Sequence, residues 1–211
     1  MTESVDIRGA EGLSLGEYYA KYHDGVPVAH LGTTVPTFPN LFTLMGPNLA
    51  SGHASVVFAI ETQVSLIAQL ITPVLRREIS AVAIRHDPCD AYNTLVQRRL
   101  AQTTFTRCTS FYRLGMSGTN IVIFPGPIGL LWWWARTPVW SRYELVGGDA
   151  WRRARRRRKL AGVFLWPVGL LLVAVILHPD LFKRVPYLQT PAFVPIVDSA
   201  HFWIIELWQR L

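Results

Sequence analysis

The amino-acid sequence predicts an α+β body followed by a C-terminal transmembrane helix. Three observations carry that expectation. Short apolar runs of strand and helix character alternate with Pro/Gly/Asn turns through roughly the first 146 residues. A block of seven cations follows, with Arg152, Arg153, Arg155, Arg156, Arg157, Arg158 and Lys159 and no acid among them. Directly behind it, Leu160 to Leu177 runs without a charge.

In chain order, residues 1–12 are polar and acidic, without the basic and apolar regions of a secretory signal, so none is expected. Phe38 to Gly46 reads as an apolar strand between Pro39-Asn40 and Gly46-Pro47-Asn48. A helix is predicted from about His53 to Leu75. Its apolar stripe would be Val56, Ile60, Val64, Ile67 and Ile71, with Glu61, Ser65 and Gln69 on the other face. Ile79 to Ile84 is short and β-rich. Asp87-Pro88 supplies an N-cap and first position for a second helix to about Gln102. Asn120 to Phe124 reads as a further strand, closed by Pro125-Gly126-Pro127, and Ile128 to Trp134 is apolar enough to be buried or to touch lipid.

The formal net charge is +7, and the basic block accounts for all of it, leaving the remainder neutral. A nucleic-acid-binding domain spreads basic charge over a folded face, so no nucleic-acid partner is expected. The block instead flanks the uncharged run, which as a helix would be about 27 Å long against about 30 Å of hydrocarbon. Cations beside a span favour the cytoplasmic side, which places the N-terminal body in the cytoplasm of a single-pass membrane protein. The alternative is a buried core helix beside a solvated arginine face. The apolar tail 191–211 is interrupted by Asp198, His201 and Glu206, and either lies in a membrane interface or packs on the body. Cys89 and Cys108 have no metal or disulfide-framework spacing and read as free thiols. The six histidines show no zinc spacing, so no metal is expected, and no serine stands in a nucleophile-elbow setting.

One passage is recognisable. Phe38-Pro39-Asn40-Leu41-Phe42, Gly46-Pro47-Asn48, Gly52-His53-x-Ser55 and Glu61-x-Gln63 together resemble the closing segment of Baeyer–Villiger monooxygenases and related flavin-containing monooxygenases. Further pieces follow in the family's order. Cys108-x-Ser110-Phe111-Tyr112 is similar to a Ser-Trp-Tyr segment, and Gly118-Thr119-Asn120 with Phe124-Pro125-Gly126 to an Asn…Trp-Pro-Gly segment. Tyr143-Glu144 comes last, while Gly12-Leu13-Ser14-Leu15 and Leu31-Gly32 fit upstream. The resemblance implies a partial FAD-binding, Rossmann-like fold in which the turn and helix start after Gly46 lie by the pyrimidine end of the isoalloxazine. By it, Gly46, Pro47, Asn48, Gly52, His53 and Ser55 are the candidate flavin neighbours. A helix start carries about half a positive charge and free N–H groups, which suits the edge where negative charge collects on flavin reduction. His53 equally fits a helix-start residue bonded to a carbonyl.

The departures bear on function. The chain holds no G-x-G-x-x-G turn, since Gly115-x-x-Gly118 and Gly126-x-x-Gly129 lack both spacing and context. A second such turn for NADPH, the Phe-x-Gly-x-x-x-His fingerprint and an alignable catalytic arginine are also absent, so NADP is not expected to bind this chain alone and the catalytic residues are unassigned. The expected organisation is a flavin-monooxygenase-like region at 1–146, a basic juxtamembrane linker at 147–159, a transmembrane helix at 160–178 and an apolar tail at 179–211. The expected function is a membrane-tethered part of an FAD-dependent monooxygenase. It would work with a nucleotide-binding partner in oxidative, Baeyer–Villiger-type tailoring of a lipophilic small molecule. The alternatives are a non-catalytic remnant or scaffold without flavin, or a sequence that is one piece of a full monooxygenase.

Overall fold

A computed structural model describes residues 5–52, 54–158 and 160, and divides the chain into two compact units, 1–151 and 152–211. The expected transmembrane helix, apart from Leu160, and the tail at 179–211 lie outside the described residues, as does His53. In the second unit, residues 152–158 are helical, with Arg153 and Arg156 to Arg158 exposed.

The first unit opens with α1 (Leu15–His23), which starts in a reciprocal capping box. The Glu17 amide donates to Ser14 Oγ at 3.2 Å, and the Ser14 amide donates to the Glu17 carboxylate at 2.7 Å. The helix ends on Asp24 in the left-handed region. It buries Leu15 and Tyr18 in a small core with Ala29, Val35 and Phe38.

The larger core gathers α2 (Val56–Leu75), β1 (Ala81–Ile84), α3 (His86–Leu100), α4 (Ile128–Ala135) and β2 (Tyr143–Val146). Strands β1 and β2 pair antiparallel, Ala81 opposite Val146 and Ile84 opposite Tyr143, and α2 packs on β1 and α4. The described residues therefore mix helix and strand as expected. Their only parallel pairing is a single bridge between Ala50 and Ile123.

Several elements depart from expectation. Residues 38–46 form no strand, because Thr37, Asn40 and Met45 take positive φ and turn the chain at each step. Asn40 instead latches onto β1: its amide donates to the Val82 carbonyl at 2.9 Å and its Oδ1 accepts the Val82 amide at 3.1 Å. Residues 120–124 form no strand either. Asn120 Oδ1 accepts the amides of Val122 at 3.2 Å and Ile123 at 3.0 Å, curling the backbone around its own side chain. Helix α3 begins at His86 behind Arg85, two residues before the Asp87-Pro88 start. Pro88 sits in the first turn, where a missing N–H costs nothing. In α4 only Leu131 and Ala135 are buried, and Trp132 and Trp133 are exposed.

Helix α2 starts at Val56, and its buried face is Ala59, Thr62, Gln63, Leu66, Leu70 and Pro73, rotated from the predicted stripe; Val56 and Val64 are exposed. Among the described residues it is the helix long and apolar enough to cross a membrane. Its buried side nevertheless binds loop backbone through Gln63, polar structure that hydrocarbon would leave unsatisfied except where protein covers it.

Candidate functional site

The segment 46–55 is built from its inner side outward. Gly32, at φ +58, and Gly46 bring two backbones into contact. A Cβ on Gly46 would stand 2.4 Å from the Gly32 carbonyl oxygen and 2.8 Å from Thr43 Oγ1, so only glycine fits. Gln63, 1% exposed, fastens this junction to α2. Its Oε1 accepts the Met45 amide at 2.8 Å. Its Nε2 lies within hydrogen-bond distance of Thr33 Oγ1 at 2.8 Å, the Gly32 carbonyl at 2.9 Å and the Thr43 carbonyl at 3.3 Å.

Asn48 is the second fastening. It is 2% exposed and left-handed at φ 55, a conformation asparagine tolerates better than most residues. Its Nδ2 donates to the carbonyls of Asn120 at 2.8 Å and Ile123 at 3.2 Å, while its Oδ1 accepts Gln97 Nε2 at 3.3 Å. Gln97 Nε2 also reaches the Asn120 carbonyl at 2.9 Å. The backbone adds three bonds: Asn48 to Ile121 at 2.9 Å, Ala50 to Val122 at 2.9 Å, and Phe124 back to Ala50 at 2.7 Å. Both ends of the Asn48 side-chain amide, and its backbone N–H, are thus engaged within the chain.

The outer side differs. Gly52 is exposed with open space where a side chain would be, and exposed Ser55 caps α2 by accepting the Phe58 amide at 3.3 Å. The first turn of α2 carries no acid, so its positive end is not neutralised there. Val56, Val57 and Phe58 are 48%, 64% and 38% exposed and make an apolar collar around it. Of the six candidate residues, Gly46, Pro47 and Asn48 form the anchored base, and Gly52 and Ser55 the open rim.

Sequence reasoning missed the side chains that hold this base. Gln63 stood within a quoted motif but had no assigned task, and Gln97 had no signal at all. Arg113 had none either: it binds the carbonyls of Thr106, Cys108, Ser117 and Gly118, and so gathers the loop that leads into Asn120. On that loop Cys108 is exposed. Cys89 is buried and unpaired, and burial pushes its thiol up to about 12.

A flavin tests the site in two parts. The open helix start, with N–H groups that no helical carbonyl reaches, fits the pyrimidine edge of an isoalloxazine. Nothing in the sequence fits the pyrophosphate of FAD, since the glycine-rich turn is lacking.

No protein-family model matches the chain. It is 35% identical over 122 residues to a Baeyer-Villiger monooxygenase of Pseudomonas aeruginosa, a match covering 57% of this chain and 22% of that protein. The FAD-binding monooxygenase ktnD of Aspergillus niger is 34% identical over 115 residues, 52% of this chain and 18% of that one. Among solved structures, cyclohexanone monooxygenase from Rhodococcus sp. Phi1 bound to NADP+ superposes with a TM-score of 0.58 at 26% identity, covering 67% of this chain and 27% of that one. Over more than half its length the chain is therefore similar to Baeyer–Villiger and FAD-binding monooxygenases, and it spans about a quarter or less of the length of those it matches.

Proposed function

We propose, from that kinship, that this chain supplies the isoalloxazine-facing loop of an FAD-dependent monooxygenase whose dinucleotide-binding parts lie in other polypeptide. The observation that carries the reading is the two-sided construction of residues 46–55. The loop is pinned from behind by Gln63 and Asn48, while Gly52, Ser55 and the start of α2 stay open in front. The exposed Val56, Val57 and Phe58 collar suits contact with such a partner.

Bound FAD would supply oxygen insertion into a ketone or heteroatom. This chain's own part would be to bind and orient: backbone amides at the start of α2 would donate to the pyrimidine edge, where the helix dipole favours negative charge. Gly46, Pro47 and Asn48 would fix where that helix start stands. The arginine block at 152–159 and the run 160–178 add a membrane anchor in this reading, with the body on the cytoplasmic side, which suits a lipophilic substrate.

The test is purification of the tagged full chain from its native cells in mild detergent. The reading expects flavin absorbance near about 450 nm, and a co-purifying polypeptide or upstream coding sequence that carries a glycine-rich dinucleotide turn. A colourless chain with neither would leave the scaffold reading standing and remove this one. Alkaline carbonate extraction tests the anchor, which fails if the full chain is released.

A further inference from the structure

Helix α1 meets α3 through one buried hydroxyl. Tyr18 of α1 is 0% exposed. Its phenol oxygen stands 3.4 Å from Nδ1 of His86, the first residue of α3, and 3.4 Å from Nε2 of His23, the last residue of α1. The Tyr18 ring also lies edge to face on Phe38 at 5.6 Å, and the rings of Tyr22 and His86 are 5.7 Å apart. His23 Nε2 faces Asp90 of α3 at 4.0 Å. Tyr18 belongs to the smaller core, while Cys89 and Tyr92 of α3 belong to the larger one. The cluster thus sits where the two cores meet.

A hydroxyl has one hydrogen to give, so it cannot stand in the same relation to both imidazoles. Burial raises the Tyr18 pKa, which keeps the phenol protonated and its hydrogen in need of an acceptor. His23 Nε2 faces two oxygens, the phenol and the Asp90 carboxylate, and is the nitrogen that carries hydrogen. Tyr18 then accepts from His23 and donates to His86 Nδ1. Among the described residues, the bonds running from Asp90 through His23 and Tyr18 end on that one lone pair.

We propose that this lone pair is an acid-sensitive catch: a proton on His86 Nδ1 releases α1 from α3. Once protonated, the nitrogen is a donor, and the buried phenol hydrogen loses its acceptor. The imidazolium would also stand in the first turn of α3, where the helix dipole opposes a cation. The other groups around the pair do not supply the missing acceptor. Asp90 and Asp24 attract charge on His23, but burial outweighs them and lowers its pKa, and His86 adds to that lowering. The buried Cys89 thiol, pushed up to about 12, is neutral. Lys21 lies over the Tyr22 ring, and exposed Arg85 and Asp87 flank His86 with one charge of each sign. Because the joined form needs His86 Nδ1 free of a proton, acid favours the released form. The catch is closed above the ordinary histidine range, about pH 6.5, and opens as pH falls below it. The inference does not rest on the flavin reading: none of its residues lies in the 46–55 loop, and its test contains no flavin.

The test is amide hydrogen exchange of the full chain in mild detergent, at about pH 7.5 and about pH 5.5, with labelling times rescaled for the intrinsic pH dependence. Protection of α1 is expected to fall about tenfold on acidification, the effect of one lost buried hydrogen bond. His86→Asn keeps a side-chain acceptor that takes no proton, and should hold that change within about threefold. His30→Asn, which removes a different buried histidine, should leave the tenfold fall intact. Tyr18→Phe should leave α1 weakly protected at both pH values, while protection of α2 at the higher pH matches the parent and reports that the body is folded. Protection of α1 that does not change with pH, a fall that persists in His86→Asn, or a fall that disappears in His30→Asn would each overturn the proposal.

Discussion

The base of the 46–55 loop and the His30–Tyr92 contact, whose rings meet edge to face at 5.2 Å, both bury polar side chains, and they treat them in opposite ways. Behind the loop, Gln63 and Asn48 engage both ends of their amides within the chain. In the ring pair, an imidazole nitrogen and a phenol are sealed from solvent and go without partners. A saturated amide network is a fastening: it fixes where the loop stands and offers its side chains to nothing else. An unsaturated pair is a gap in the hydrogen-bond count that costs stability. Burial of a polar group alone does not say whether it helps hold the fold; its saturation does.

That contrast can be broken most forcefully at Gln63. Gln63→Leu strands the Met45 amide and the Thr43 carbonyl, while the Gly32 carbonyl keeps Thr43 Oγ1 and the Thr33 hydroxyl keeps the Leu31 carbonyl, so urea unfolding of the full chain should show a loss on the order of 3 kcal/mol. A loss below about 1 kcal/mol would mean the network is not what holds the loop.

His30 sharpens the contrast through pH. Its folded pKa, about 4, lies below the ordinary 6.5, so the unfolded chain takes up a proton more readily. The stability linked to His30 is thus fully present above about pH 6.5 and is lost as pH falls towards 4. Between pH 7 and 5 the expected loss is about 2 kcal/mol, and His30→Asn should remove most of that slope. His23, lowered mainly by partial burial, adds a smaller contribution of the same sign, which is why the variant is needed.

Tyr92→Phe gives the smallest expected effect and separates the two regions most sharply. Removing a hydroxyl that has no partner should leave stability within about 0.5 kcal/mol of the parent or raise it. A loss comparable to that at Gln63 would show the phenol to be as engaged as the loop amides.

Much of the helix content was legible in the sequence and much of the packing was not. Helix α2 was found from its apolar spacing, but the wrong face was assigned to the core. Its buried stripe contains Thr62 and Gln63, which are inside because loops meet them there. Helix α1 went unread although Ser14-x-x-Glu17 announces a capping box. The two false strands failed for a shared reason: Asn40 and Asn120 turn the chain with side-chain hydrogen bonds that apolar patterning cannot register. The candidate loop was readable only through resemblance, since its fastenings join residues as far apart as Asn48 and Ile123. The His30–Tyr92 contact was not readable at all, because its two rings come from distant parts of the chain.

Arg113 carries a consequence of its own. All four groups it gathers, from Thr106, Cys108, Ser117 and Gly118, are main-chain carbonyls, none of them a carboxylate. A main-chain carbonyl is not a group that mild acid protonates. The acceptors of this clasp are therefore indifferent to the mildly acidic interval in which the neighbourhood of His30 weakens. Acidification would loosen one part of the body while leaving the approach to Asn120 as it was.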